Sequence, residues 1–315
     1  MSEKATADYD PAFYAQFYRL SPQELEFFQA QTGIKDEEEL KQHILSVQGE
    51  ALKVVVPYTC IKAFAFTKLV ANRLPAYDQV IKLGKERKGA ILLDIGCCFG
   101  VDVRKAVADG FPVENAIGSD LHPEYWDLGH KLFRTTGEEF PASFLGGDAF
   151  DPAFFEEGLL LDSPPTTPPP ALASLKVLTP LNGHVSAIHA SSFFHLFDEE
   201  KQLELARKLA GLLSPVPGSV ILGGHAGQPT KGLWTERRTM ASGKYMFCHS
   251  PESWKELWDG QVFEKGKVRV EVTLRTAKEM FDIDPAGTKW IDAAQMQGGS
   301  GTVNYRVLVW SVTRL

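Results

Sequence analysis

The chain is short of basic charge, poor in cysteine and free of long apolar runs. Its 33 lysines and arginines face 40 aspartates and glutamates, a formal net charge of −7. Such a surface offers no general attraction to nucleic acid or anionic lipid, and no basic cluster creates a local one. The four cysteines, Cys60, Cys97, Cys98 and Cys248, make neither a C-x-x-C pair nor a Cys/His cluster with zinc spacing. A disulfide framework and a metal site are therefore not expected. Cys97 and Cys98 have no cationic neighbour in sequence and read as small residues filling a crowded turn. No apolar stretch approaches the roughly 20 residues that a spanning helix needs. The opening MSEKATADYD also lacks the basic-then-apolar order of a secretory signal. The expectation is a soluble cytoplasmic protein with no membrane or nucleic-acid partner.

What the chain does contain is enough apolar material for a large core: 44% hydrophobic residues and 20 phenylalanines in 315 residues. The first part reads as helical and aromatic. Phe13 with Phe17 and Tyr14 with Tyr18 stand at i, i+4 spacing. Ser21, Pro22 and Glu24 spell a helix start with a capping box, and Gly33 a stop. Asp36 with Glu39 starts another helix, and Pro57 interrupts the apolar run before IKAFAFTKLV.

From Ile91 onward short apolar runs alternate with helical segments: ILLDIG, VDVRKAVADG, NAIGSD, PEYWDLGHKLF, ASFLGGD, and later VSAIHAS and SVILGGH. Between the last two, Leu205, Ala206, Leu209, Leu212 and Leu213 form one helix face. This alternation implies right-handed crossovers and a parallel sheet. VRVEVTLRT and NYRVLVWSVTRL follow with no strong helix between them and are expected to pair antiparallel, completing seven strands. The proline-rich residues 161–172 read as an exposed connector.

The stretch ILLDIGCCFGVDV is a strand, a glycine turn and a helix start. A nicotinamide or flavin site would carry G-x-G-x-x-G, but Cys98 and Val101 stand where the second and third glycines belong. What survives is Asp94-x-Gly96-x-x-x-Gly100, with Asp120 ending the second strand and Asp148 following the third. Three acids at three successive strand ends suit an adenosine that bears positive charge and no phosphate, with Asp120 accepting from ribose hydroxyls.

These residues resemble motif I and its companions in the class I S-adenosylmethionine-dependent methyltransferases, with Cys98 departing at the middle glycine. Over nearly the whole length, including FYRLSPQELEFFQAQTGI, VPYTCIKAF and HAGQPTKGLW through SPESWKELW, the chain is similar to small-molecule O-methyltransferases of fungal secondary metabolism. The resemblance implies S-adenosyl-L-methionine as cofactor and an α/β, Rossmann-like sheet of seven mostly parallel strands with helices on both faces. It also implies an antiparallel C-terminal hairpin, and a helical extension over residues 1–88 acting as lid to a methyltransferase domain at 89–315. By the same likeness Gly96 and Gly100 line the methionine, Asp120 holds the ribose, Leu121 belongs to the cofactor site, Asp148 and Ala149 contact the adenine, and Asp94 orders the turn.

For the acceptor, His189, His195 and His225 lie at or beyond strand ends, and His189 or His195 is the expected substrate contact or base. The expected pocket wall is Tyr18, Tyr58, Trp234, Tyr245, Met246 and Phe247, suiting an apolar or aromatic substrate. Arg19 is a candidate partner for the cofactor carboxylate, and Arg237 with Arg238 for an acidic acceptor. The acceptor atom stays open between carboxyl oxygen, phenolic oxygen and amine nitrogen, and a non-catalytic regulator on the same fold remains a rival. Oligomeric state is not legible.

Overall fold

The computed structural model describes residues 15–54, 58–238, 244–281 and 305–315. Phe13, Tyr14, Pro57 and Asn304 lie outside them. The first helix, α1 (Pro22–Thr32), starts as its sequence dictates. Ser21 Oγ accepts the Glu24 N–H at 3.3 Å, the Glu24 carboxylate accepts the Ser21 N–H at 2.8 Å, and Gly33 ends the helix in a left-handed turn. Glu24 is fully buried and also pairs with Lys68 and Arg73, each at 2.9 Å. Removing one partner of such a group would strand a buried charge. Next come α2 (Glu37–Val54), where Asp36 accepts the Glu39 N–H at 2.8 Å, the short α3 (Thr59–Lys62) and α4 (Tyr77–Glu86).

The alternating region follows as β1 (Ile91–Ile95), α5 (Val101–Ala108), β2 (Ala116–Asp120), α6 (Pro123–Phe133), β3 (Ser143–Gly146), β4 (Val185–His189), α7 (Glu199–Leu212) and β5 (Val220–Ala226). A hairpin, β6 (Gly232–Arg238) and β7 (Tyr245–Cys248), precedes α8 (Pro251–Trp258), β8 (Val268–Thr276), α9 (Ala277–Phe281) and β9 (Arg306–Arg314). One sheet of seven strands has the order β3-β2-β1-β4-β5-β9-β8, with β1 to β5 parallel and β9 antiparallel to both its neighbours. The expected seven strands are thus the seven of this sheet. The β6–β7 pair forms a separate two-stranded sheet that the residue pattern did not announce.

Alternation along the strands divides the core. Leu93, Ile95, Ile188 and Ile221 pack against α7 and α8, and all five residues expected on the apolar face of α7 are buried. Leu92, Ala187, Val220 and Leu222 turn to the other face, against Tyr77, Val80 and Leu83 of α4. A further cluster joins Phe27, Phe28, Ile44 and Phe66 to Phe99, Tyr125 and Phe133. His43 Nε2 lies 2.9 Å from the Leu132 carbonyl oxygen. No helix among the described residues is long and apolar enough to cross a membrane.

Candidate active site

The strand order reverses between β1 and β4, and ligands of open parallel sheets bind at the carboxyl ends beside such a switch point. Here the glycine turn emerges. Its Gly96 and Cys97 N–H groups donate to the Ser119 carbonyl at 2.8 and 3.1 Å, tying the turn to the tip of β2. Cys98 has φ 50°, a left-handed conformation at the position where motif I carries glycine. Its N–H donates to Asp120 Oδ2 at 2.9 Å, and the His122 N–H donates to Oδ1 at 3.1 Å. Asp120 is buried, and that burial pushes its carboxyl above the usual range despite those two donors. The Cys97 thiol is raised well above its ordinary value, by burial first and then by Asp120 and Asp94, which makes it an inert filler.

Leu121, the next residue, is 52% exposed, an open apolar surface beside the Asp120 carboxylate. Asp148 is exposed and accepts the Phe150 N–H at 2.9 Å, while Ala149 is buried with its carbonyl accepting from Lys208 at 3.0 Å. The loop after β4 closes over the turn: a Cβ added to Gly96 would lie 2.9 Å from the Phe193 ring. Phe193, Phe197 and Phe150 continue as edge-on neighbours at 5.3 and 4.7 Å. This aromatic run was not foreseen as part of the site. Its signal was SSFFHLF directly after a strand end.

Asp94 and His189 face one another across the β1–β4 boundary. His189 Nδ1 is 2.8 Å from Asp94 Oδ1, and Nε2 is 2.7 Å from Ser191 Oγ. Burial alone would lower the His189 pKa, but the Asp94 charge and hydrogen bond, with Asp102 behind, outweigh it and raise it above the ordinary value. Asp102, in the first turn of α5, accepts the Ala71 N–H at 2.9 Å. Burial, reinforced by Asp94 and opposed by His189, pushes its carboxyl up to about 6. A small cavity behind these groups is lined by Asp94, Asp102, His189, Tyr77, Leu92 and Leu222.

The other expected residues fall into separate places. His195 sits half-buried in a single turn after β4, its ring 6.5 Å from that of His225, on the side of the sheet away from His189. Trp234 and Met246 are buried together with Ala226 and Cys248 beneath the hairpin, with Tyr305 against them, while Tyr245 is exposed. Phe247 is buried beside His249. Tyr58 lies 5.8 Å from His122 and 5.6 Å from Tyr125, next to the tip of β2. Tyr18 packs edge-on to Phe64 inside the helical preface, its hydroxyl pushed up to about 12 by burial and the nearby glutamates. Tyr58 thus packs with the preface cluster and Trp234 and Met246 with the hairpin cluster. The Arg19 carbonyl accepts from Lys68 at 2.7 Å, and Arg237 and Arg238 stand on β6.

A seven-stranded sheet in this order, with a glycine turn and strand-end carboxylates at its switch point, has the architecture of the methyltransferase fold. Residues 13–67 match the family profile described as Meroterpenoid methyltransferase N-terminal domain. The O-methyltransferase phiE of a fungal species is 32% identical over 242 residues, covering 77% of this chain and 71% of the relative. Methyltransferase adrK of Penicillium roqueforti is 30% identical over 235 residues, 74% of each chain. Asnovolin E/Chermesin D methyltransferase nvfJ of Aspergillus novofumigatus is 29% identical over 234 residues, again 74% of each. The chain belongs to the methyltransferase family that these fungal enzymes represent.

Proposed function

We infer that the enzyme methylates an oxygen, carboxyl or hydroxyl, on a small metabolite of aromatic or terpenoid type. The methyltransferase is S-adenosylmethionine-dependent, and the cofactor when bound supplies a methyl carbon made electrophilic by a positive sulfur. The donor set fits that group. Asp120 is bonded to the turn through the Cys98 N–H, Asp94 precedes the turn and Asp148 follows the third strand, and residues 94–102, 118–122 and 146–150 contain no lysine or arginine. Acids without basic residues at these strand ends favour a sulfonium and ribose hydroxyls and disfavour a pyrophosphate. This is the observation that carries the reading. Asp120 keeps lone pairs beyond its two backbone donors for the ribose, and Leu121 offers the adenine an apolar face. Asp148 and Ala149 bound the adenine edge, and Gly96 and Gly100 admit the methionine.

For the acceptor, the support is the name O-methyltransferase borne by one relative and the two metabolites named for another. The meroterpenoid description of the matched profile points the same way. Trp234 and Met246, with Tyr245 and Tyr58, are the residues that would surround an apolar skeleton. The residues' main task is alignment of the acceptor oxygen for in-line attack. A carboxylate acceptor arrives ionised, whereas a phenol must lose a proton on the way.

Titration calorimetry with S-adenosylhomocysteine and with NADH tests the cofactor site. Binding of the first, none of the second, and a loss of roughly 10- to 100-fold in Asp120→Ala are expected. A screen of acids, phenols and amines with labelled methyl donor tests the acceptor, and label found on amines alone would refute the oxygen assignment.

A further inference from the structure

We propose that Ser191 is the group that touches a hydroxyl acceptor and that Asp94, His189 and Ser191 form a proton relay from that hydroxyl into the sheet. The inference rests on the oxygen-methylation reading above and assigns it a route for the proton.

The geometry is that of a directed chain. His189 is buried and held at both ring nitrogens, so it cannot itself reach an acceptor. Ser191, half-buried, lies two residues past the end of β4, on the side of the switch point where the glycine turn emerges. Its Oγ accepts the Gly224 N–H at 3.1 Å, which fixes the hydroxyl against the tip of β5. Its flanking N–H groups extend the sheet: Ala190 donates to the Leu222 carbonyl at 2.9 Å and Ser192 to the Gly224 carbonyl at 2.7 Å. Ser192 holds φ 53°, a backbone state costly for a side-chain-bearing residue and of the kind that collects at functional loops. A Cβ at Gly223 would lie 2.5 Å from the Ala190 carbonyl oxygen, so this approach of strand and loop requires glycine.

A serine hydroxyl has one proton to give and two lone pairs to receive. Gly224 occupies one lone pair, His189 Nε2 takes the proton, and the second lone pair is left for an acceptor O–H. As the acceptor oxygen forms its bond to the methyl carbon, the electron pair of the breaking C–S bond returns to sulfur. The acceptor proton passes to Ser191 Oγ, and the Ser191 proton passes to His189 Nε2. His189 ends as an imidazolium held by Asp94, and returns its proton through Ser191 to water after product leaves. The groups that face His189 are Asp94 from β1, Asp102 from α5 and, across the cavity, Tyr77 from α4. Both carboxylates favour the imidazolium, which makes its neutral form a stronger base.

The test pairs nitrogen NMR of histidine-labelled protein with kinetics on a panel of substituted phenols and benzoic acids. Above its pKa, His189 is expected to show a protonated Nδ1 and a bare Nε2 accepting a hydrogen bond, and Ser191→Ala should shift the Nε2 signal. The reverse tautomer, or an unmoved signal, overturns the relay even if no panel compound is turned over. With a phenol, kcat should fall about 100-fold or more in Ser191→Ala, with its acid limb lost and S-adenosylhomocysteine affinity kept. Ser191→Thr should restore part of the rate. Unchanged phenol turnover, or methylation of carboxylic acids alone with no acid limb, overturns the relay but leaves the methyltransferase reading intact. Failure of the wild-type protein to bind S-adenosylhomocysteine would instead remove that reading itself.

Discussion

Two histidines near the ends of adjacent strands have been given opposite electrostatic fates. His189 of β4 lies on one face of the sheet against Asp94, with Asp102 behind it. His225 of β5 points to the other face, where its Nδ1 accepts the Trp310 indole N–H at 2.9 Å. Its ring lies 4.6 Å from Trp254 and 5.6 Å from Phe194. Burial, aided by His195 and His249, drives the His225 pKa well below the ordinary value. Nearby His249, hydrogen-bonded to Ser253 at 2.9 Å, is lowered to about 4, by burial first and Lys231 second. The lesson is that burial alone does not decide protonation. Carboxylates within reach keep a proton available on one face, and burial with no carboxylate to offset it, reinforced by neighbouring histidines, keeps protons out of His225 on the other.

The largest effect is expected on the apolar side. Trp254 is fully buried, and Trp254→Ala should cost about 3–5 kcal/mol by chemical denaturation. It should also let the His225 pKa climb toward its ordinary value as water enters. On the polar side, Asp94→Asn removes the charge that favours the His189 imidazolium, so the buried ring sheds its proton and the lost charge-assisted hydrogen bond should cost about 1.5–3 kcal/mol. NMR titration should find the His189 pKa below the ordinary value there, whereas a pKa that stays raised would contradict the assigned cause.

Acidification sets the two faces against each other. Below about 6.5 the unfolded chain protonates the rings of both His225 and His249, while the folded protein resists, so each drains about 1.4 kcal/mol of stability per pH unit. Asp102 acts in reverse: its folded pKa near 6 means that the native state takes up a proton first, adding stability as pH falls from about 6 toward 4. His189, with its raised pKa, contributes stability that is complete below about 6.5 and is lost as pH rises through its folded value. In Asp102→Asn, which removes the carboxyl's gain, stability should fall more steeply between pH 6 and 5, by up to about 1.4 kcal/mol per unit, and an unchanged slope would refute the opposition. The smallest expected effect is at the turn, where Cys98→Gly relieves a left-handed side-chain-bearing residue. A gain of about 0.5–1 kcal/mol in denaturant midpoint measurements is expected.

Much of this was legible in the residues because it is local. Ser21 and Glu24 announced their capping box, the leucines of α7 announced their face, and Asp94, Gly96, Gly100 and Asp120 announced the turn and strand tip. Pairings set by tertiary approach were not. Asp94 and His189 are 95 positions apart, and nothing in either neighbourhood names the other. His189 was expected as a substrate contact or base, but the intervening Ser191 was invisible until β4 and β5 fixed its hydroxyl. The β6–β7 hairpin was hidden because GLWTERR lacks clear alternation and its register shifts between Trp234 and Arg238. Glu24 was legible as a cap, yet its buried pairing with Lys68 and Arg73 depends on how the preface folds back.

Phe99, in the middle of the glycine turn, is gripped from both sides. Its ring meets Phe66 of the preface at 4.7 Å, and a Cβ on Gly129 of α6 would lie only 2.3 Å from its carbonyl oxygen. Through Phe99 the N-terminal helices and the turn share one packed core, so the two are expected to unfold in a single transition, and a scan that resolved them would contradict it.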